Sequence, residues 1–420
     1  MTTNRDSDRA PRLPTGTAIV LTVLVPFGCG FYLSYLFRTV NAVISPHLQR
    51  EFGLDAEGLG FLTSIYFAAF AAMQLVLGVA LDRYGPRRVQ AGLLVVASIG
   101  SGLFTIGPDV TTLAIGRGLI GVGVSACLMA AFKANAIWWP KERLPLVNNA
   151  VGAFGSFGAL SATSPMHALL GILEWREVFA GLTAVTLALA LVVFLVVPER
   201  RDQYDTAASV GAQFAGLAKI WRSAFFWRIS GVFITCQAVL LAYQTLWAAP
   251  WLREVERLGG QAVADHLFLI QLGFFFGLLA GGSVADRLRR RGVPTSAVFT
   301  SGIGVFLLLQ LVLVTGPTGH AAILWAGFGF FGAAAFLCYT AYVEYFPAAL
   351  AGRVLTAANL LLFMAAFALQ WGIGAIMETF PRDPSGGHVG SAHTTALGVT
   401  LALQVVAFAW MVWPRRASEG

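Results

Sequence analysis

Three basic side chains interrupt otherwise apolar runs: Arg38, Arg117 and Lys133. An unpaired Arg or Lys at the centre of a bilayer costs at least about 2.5–3.5 kcal/mol, so each marks a cavity, a partner or a ligand. Arg38 has the clearest pattern, because Ser34, Arg38, Asn41 and Ser45 follow i, i+4, i+7 and i+11 and share one narrow stripe of a helix. Snorkelling to the headgroups is the alternative, but Arg38 lies eight residues before Pro46 and short of any polar loop. The chemistry this predicts is recognition of an anion by a guanidinium. Lys133, five residues before Trp138, is the second candidate. Arg117 is 16 positions from Lys133, roughly 160° around a straight helix, so the two are not expected to face one cavity.

Between 237 and 247, Gln237 and Gln244 are seven apart on one helical face, with Tyr35 near Arg38 and Tyr243 and Trp247 near the glutamines. Trp325, Tyr339 and Trp371 beside Gln370 offer apolar surface, either to a solute or to ordinary helix packing. This inventory suits a small carboxylate or another monoanion with an apolar body, and also a neutral polar solute. A nucleophile elbow, a phosphate loop and a His-Glu metal motif are all missing, so neither enzymatic chemistry nor a cofactor is expected. Cys29, Cys127, Cys236 and Cys338 lack metal-ligand spacing and read as small buried hydrophobes.

The elements that must carry these residues follow from composition. With 57% hydrophobic and 12% charged residues and a mean hydropathy of +0.72, the chain cannot hide its apolar surface in a soluble core. A bilayer needs roughly 20 apolar residues per helix, and twelve such spans are predicted at 17–45, 58–81, 89–107, 111–139, 145–171, 178–198, 227–250, 264–285, 295–315, 320–345, 353–379 and 394–413. The expected organisation is a cytoplasmic tail (1–16), a first six-helix bundle (17–198), a cytoplasmic linker with one surface helix (199–226), a second six-helix bundle (227–413) and a C-terminal tail (414–420). With both termini inside, twenty Lys and Arg fall in cytoplasmic segments and five in outer loops, which sets an N-in, C-in orientation. The net charge of +7 is therefore topogenic, and no nucleic-acid partner is expected. Arg outnumbers Lys 25 to 3, a compositional hint of a high-GC bacterial gene and an inner membrane.

The two halves repeat. GVALDRYGPRR at Gly78–Arg88 and GSVADRLRRRG at Gly282–Gly292 each place a glycine four residues before an Asp-Arg pair. Asp82 and Asp286 are 204 positions apart, as are Pro46 and Pro250. Two landmarks at one offset indicate a duplication, and parallel repeats are a transporter architecture. Asp82 can cap a helix N-terminus and pair with arginines, which gives the motif a latch function beyond topogenic charge.

These motifs resemble those of the major facilitator superfamily: the Asp82-Arg83 loop, its weaker copy at Asp286-Arg287, RGLIGVG at Arg117–Gly123 and WREVF at Trp175–Phe179. The resemblance covers nearly the whole chain. It implies an all-α integral membrane fold of two pseudo-symmetric six-helix bundles and transport by alternating access. Gly78, Asp82, Arg83, Arg87, Asp286 and Arg287 would govern the cytoplasmic gate, and Arg117 would be a structural motif residue.

Within the superfamily, Tyr35, Arg38 and Pro46 are similar to the first helix of the organophosphate:phosphate antiporters. The second arginine of that branch is replaced here by Ala242, its second-helix lysine by Gln74, its fourth-helix histidine by Ile137 and its fourth-helix arginine by Lys133. The two-arginine clamp suited to a phosphate dianion is thus absent. Uptake of a small organic anion by a monomer follows as the expectation, with a proton or an exchanged anion as coupling partner. Efflux, transport of a neutral solute or metal ion, and solute sensing are the competing readings.

Overall fold

The computed structural model describes residues 16–200, 210–316, 319–383 and 386–413. Among them the chain is helical, apart from loops and one isolated bridge between Arg382 and His388. Nine helices in the described residues are long and apolar enough to cross a bilayer. One of them, Ala56–Ile106, has 51 residues, about twice what a bilayer needs, and contains two spans. They meet at Gly85, whose φ of 79° and ψ of 160° suit glycine, and Pro86 opens the third span where its missing N–H costs nothing. The sequence reading expected a loop from 82 to 88; the turn is a single residue. The fifth span is broken into Leu144–Ser161 and Ser164–Leu170, and the tenth runs as Ala321–Gly332, the 3₁₀ segment Ala333–Leu337 and Cys338–Tyr345. With the two spans inside Ala56–Ile106, these breaks reconcile the nine long helices among the described residues with twelve spans.

The first span outruns its predicted end at 45. Val25–Thr39 continues as Asn41–Phe52 and stops at Gly53, a left-handed cap with φ 61°. Pro46 lacks the N–H that would reach the Ala42 carbonyl, and the Ser45 hydroxyl donates to that carbonyl instead at 3.2 Å. This substitution lets the helix pass through a proline inside an apolar environment. The seventh span, Ala224–Ala242, passes through a π segment at Tyr243–Trp247 before Ala248–Glu254.

The WREVF segment ties the outer end of the first bundle together. Trp175 Nε1 donates to Glu51 Oε2 at 2.8 Å, Arg176 Nη2 to Glu51 Oε1 at 2.7 Å, and Arg176 also donates to the carbonyls of Thr105 and Gly107. Burial alone would raise the Glu51 carboxyl, but the Arg176 and Trp175 hydrogen bonds outweigh it and hold it below the ordinary carboxylate range. In the second bundle, Gln310 and Gln404 exchange amide hydrogen bonds of 3.1 and 2.8 Å between the ninth and twelfth spans. The linker carries the helix Val210–Trp221, which packs against the second-to-third and eleventh spans.

The two bundles are joined at their outer ends. Ala56 N, at the start of the second span, donates to Glu378 Oε1 at the end of the eleventh at 2.7 Å. Trp371 Nε1 donates to Glu57 Oε1 at 3.1 Å, and Ser164 Oγ to Asp265 Oδ1 at 2.8 Å. Backbones approach so closely here that a Cβ on Gly374 would lie 2.4 Å from the Ala56 carbonyl.

Candidate functional site

Between the bundles lies a cavity of about 260 Å³, near the lower end of the range for small-molecule sites. From the first bundle it is lined by Ser34, Tyr35, Arg38, Phe70 and Gln74. The second bundle adds Gln237, Gln244, Tyr339, Asn359 and Phe363. The remaining wall is apolar, with Phe31, Phe132, Phe274 and Phe336 among its members.

Arg38 is 5% exposed, and among the described residues it has no carboxylate partner. Its guanidinium carbon lies 4.6 Å from the Tyr35 ring centroid, 5.5 Å from Phe70 and 5.2 Å from Phe363, within the range in which ring faces attract a cation. The hydroxyls of Tyr35 and Tyr66 also face it, while its Nε is buried without a hydrogen-bond partner. Three rings offset part of the cost of burying the charge, and the cation keeps donors for an incoming anion. Ser34 donates weakly to the Val124 carbonyl at 3.5 Å.

The glutamines reach the same space. Gln237 Nε2 donates to the Gly332 carbonyl at 2.8 Å, and Gln244 Nε2 to Gln271 Oε1 at 3.4 Å. Gln244 Oε1 is buried and unpartnered. Tyr339, read from the sequence as apolar surface for a solute or for helix packing, lines the cavity and donates to Asn359 Oδ1 at 2.5 Å.

Other sequence-predicted residues fall elsewhere. Asn41 is buried against the second span, its Nδ2 donating to Thr63 Oγ1 at 3.1 Å. Tyr243 packs on Trp325 and Phe328, and Trp247 Nε1 donates to the Gln370 carbonyl at 2.9 Å. Lys133 leaves the cavity to the neutral residues of the fourth span, and its Nζ lies 2.5 Å from Asp82 Oδ1. As a basic residue in an apolar run Lys133 reads as a second substrate cation; its partner Asp82 belongs to another span and is not visible in the sequence. Arg117 Nη1 donates to the Phe37 carbonyl at 3.0 Å and its guanidinium lies over Tyr66 at 5.2 Å, so it fastens the fourth span to the first.

Around the second-to-third junction, Gly78 sits one turn before Asp82. Arg83 lies against Tyr84, Arg87 against Phe194, and Arg88 Nε pairs with Glu199 Oε1 at 2.8 Å. Arg287 is exposed, and the Asp286 side chain lies outside the described residues. Phe70, Phe363, Asn359 and Gln74 were missed as wall residues. Asn359 and Gln74 carry a signal, as amides within the apolar runs of the eleventh and second spans; a phenylalanine facing a cavity is indistinguishable in sequence from one facing a helix.

Residues 27–370 match the family model of the Major Facilitator Superfamily. The chain is 23% identical to the probable sulfoacetate transporter SauU of Cupriavidus necator, over 70% of this chain and 72% of that protein. It is 24% identical to the hexuronate transporter of Bacillus subtilis, over 67% and 66% of the two chains. Among solved structures it is similar to a bacterial homologue of the human lysosomal transporter Spinster, at 17% identity and a TM-score of 0.74 over 95% and 97% of the two chains. It also resembles the D-xylose-proton symporter, at 16% identity and a TM-score of 0.71 over 94% and 97%. A family match across most of the chain, on a fold of two joined helix bundles around a central cavity, means that this chain belongs to the Major Facilitator Superfamily and is a multi-pass secondary transporter, not an enzyme.

Proposed function

We propose that the chain takes up a small organic monoanion with an apolar body across the bacterial inner membrane, by alternating access between bundles bounded at 17–198 and 227–413. One observation carries this reading: Arg38 is a buried cation without an acidic partner among the described residues, set in aromatic rings on the wall of a cavity between the bundles. An anion supplies the missing counter-charge through charge-assisted hydrogen bonds, and the rings around it receive the apolar body. Ser34, Tyr35, Gln237 and Gln244 complete the polar contacts. The hexuronate monoanion named for the Bacillus subtilis transporter supports a single negative charge, while sulfoacetate, named for SauU, carries two and supports only an anionic solute. The wall here, rich in phenylalanine, favours a body with fewer hydroxyls than a sugar acid. Phosphate-ester exchange is not proposed, because Gln74, Ile137 and Ala242 leave Arg38 without the cations a dianion requires.

Asp82 with Lys133, and the arginines Arg83, Arg87 and Arg287 with Gly78 and Asp286, form the cytoplasmic gate in this reading; Arg117 is structural. A proton or an exchanged anion drives the cycle, and the monomer is the working unit. The test is a thermal-shift screen of the detergent-purified protein against carboxylates, sulfonates, phosphate esters and neutral sugars, repeated with Arg38→Gln. Stabilisation by a carboxylate or sulfonate that disappears in the variant is expected. Stabilisation by neutral solutes alone, unchanged in Arg38→Gln, would overturn the proposal.

A further inference from the structure

A second pocket of about 260 Å³ opens at the outer interface of the first, fifth, seventh and eighth spans, lined by Pro46, His47, Arg50, His167, Arg253 and Gly260 with small apolar neighbours. None of its lining residues lines the central cavity. Its named polar side chains are two arginines and two histidines, with no carboxylate among them.

The acids nearby are already committed, among them Glu174, whose charge reaches His47 and whose side chain caps the N-terminus of Trp175–Val196. Glu254 accepts from His393 Nε2 at 2.6 Å and from the His388 backbone at 3.1 Å. Glu51 is held by Arg176 and Trp175, and Asp265 by Ser164 and Gln261. Arg50 donates from Nε to the Pro46 carbonyl at 3.0 Å. Neither Arg50 nor Arg253 forms an ion pair within 4.0 Å among the described residues, and His47 Nδ1 is buried without a partner. Excess positive charge, an unpartnered donor or acceptor and an empty volume therefore coincide.

We propose that this pocket is a second anion site, a receiving chamber that holds a small carboxylate or sulfonate between Arg50 and Arg253 on the outer side. Arg50 and Arg38 are twelve residues apart on one helix, about 18 Å at 1.5 Å per residue. The chamber is thus in series with the central cavity, an ordering that rests on the reading of Arg38 as the substrate cation; the chamber itself rests on its own residues. Concentrating the anion at the outer mouth raises its rate of encounter with the transporter, and the outer contacts at Ala56–Glu378 and Ser164–Asp265 separate the two sites until the bundles move.

The experiment places a reporter thiol in the chamber of the full-length protein. Gly260→Cys is suited to it, because a Cβ there points at His167, 3.1 Å from its Cε1. The thiol is labelled from outside with a sulfonate-bearing and with a trimethylammonium-bearing methanethiosulfonate. The sulfonate reagent is expected to react faster, and Arg50→Gln with Arg253→Gln to lower the ratio of the two rates by about tenfold, the scale of two screened charges acting at short range. Arg50→Lys with Arg253→Lys, which keeps the charge, should retain the ratio and controls for misfolding. Methanesulfonate, a monoanion that either site could take, should slow labelling saturably in Gly260→Cys, and should still do so when Arg38→Gln is added. Loss of that protection in Arg38→Gln, with Arg50 and Arg253 intact, would reassign the effect to the central site and overturn the chamber. Equal rates for the two reagents, unaffected by the glutamine pair, would overturn it as well. Protection that survives Arg38→Gln supports the chamber even if the central site proves not to bind anions.

Discussion

The guanidinium carbon of Arg38 lies 5.2 Å from the ring centroid of Phe363, and the two residues belong to opposite bundles. Phe363 also packs against Phe70 of the second span, with centroids 4.2 Å apart. The candidate anion-binding cation is therefore part of the seam that a transporter must open and close. An anion arriving at Arg38 reduces the net charge facing Phe363 and weakens the attraction of cation to ring face. Ligand binding and the contact between bundles act on the same side chain, which is the differential interaction that a ligand-driven population shift requires.

Replacing the ring while keeping an apolar side chain isolates this contact. Phe363→Leu leaves the wall apolar but removes the face presented to Arg38, an interaction of about 0.5–2 kcal/mol. Anion affinity is expected to change by roughly two- to thirtyfold, with Phe363→Tyr close to wild type. Equilibrium titration of the purified variants measures this. Leucine and tyrosine variants that bind alike would show that Phe363 acts only as volume.

Much of the architecture was legible in the sequence, because apolar length, arginine placement and the repeated Asp-Arg motif are each local or periodic signals. The continuation of the first span through Pro46 was not, since it depends on the Ser45 hydroxyl reaching the Ala42 carbonyl. In the site, Arg38 stood out because a charge in an apolar run is conspicuous in one dimension. Lys133 was equally conspicuous but its partner Asp82 is 51 positions away, so the sequence could register the cost of the charge without identifying what offsets it. The phenylalanines of the cavity wall carried no signal, because apolar residues look the same whether they face a cavity or a neighbouring helix.

The Glu51 clamp makes a prediction about pH. Its carboxyl is held below the ordinary value, so it contributes stability above the unfolded carboxylate pKa of about 4.3 and loses it as pH falls through the lower folded value. The side chain is 40% exposed, and solvent screening keeps the effect small. Glu51→Gln should lower the melting temperature at pH 7, and the gap from wild type should narrow below about pH 4. A gap that is constant from pH 7 to about pH 3.5 would mean that ionisation of Glu51 contributes nothing.

Asp82, next to the second-to-third junction, pairs with Lys133 of the fourth span, their side chains 45% and 28% exposed. A pair this accessible contributes at most about 1 kcal/mol to stability, so melting temperatures of Asp82→Asn and Lys133→Gln should stay near wild type. Turnover should fall in both, more than substrate affinity does. Because the residues act as one ion pair, the double variant should be little slower than either single variant. A double-mutant cycle on transport rates in proteoliposomes checks this. Additive losses would separate the two residues and restore Lys133 as an independent substrate contact.

The outer seam can be weakened in two chemically unrelated ways, and both should push the protein in one direction. Glu378→Ala removes the carboxylate that accepts from Ala56 N at 2.7 Å, a charge-assisted bond at a helix N-terminus, where negative charge is favoured. A net loss of about 1–2 kcal/mol corresponds to a shift of roughly five- to thirtyfold toward the outward-open arrangement. Gly374→Val acts by volume, since even a Cβ at this position would meet the Ala56 carbonyl at 2.4 Å and the bundles could not close to their present distance. Pulsed electron-electron resonance between spin labels on the outer ends of the second and eleventh spans would read both shifts. If the glycine variant opens the outer side and the glutamate variant does not, the seam is held by backbone packing and the carboxylate is incidental. If neither moves the distance distribution, the outer closure is set elsewhere, with the Trp371–Glu57 and Ser164–Asp265 contacts as the polar links to test next.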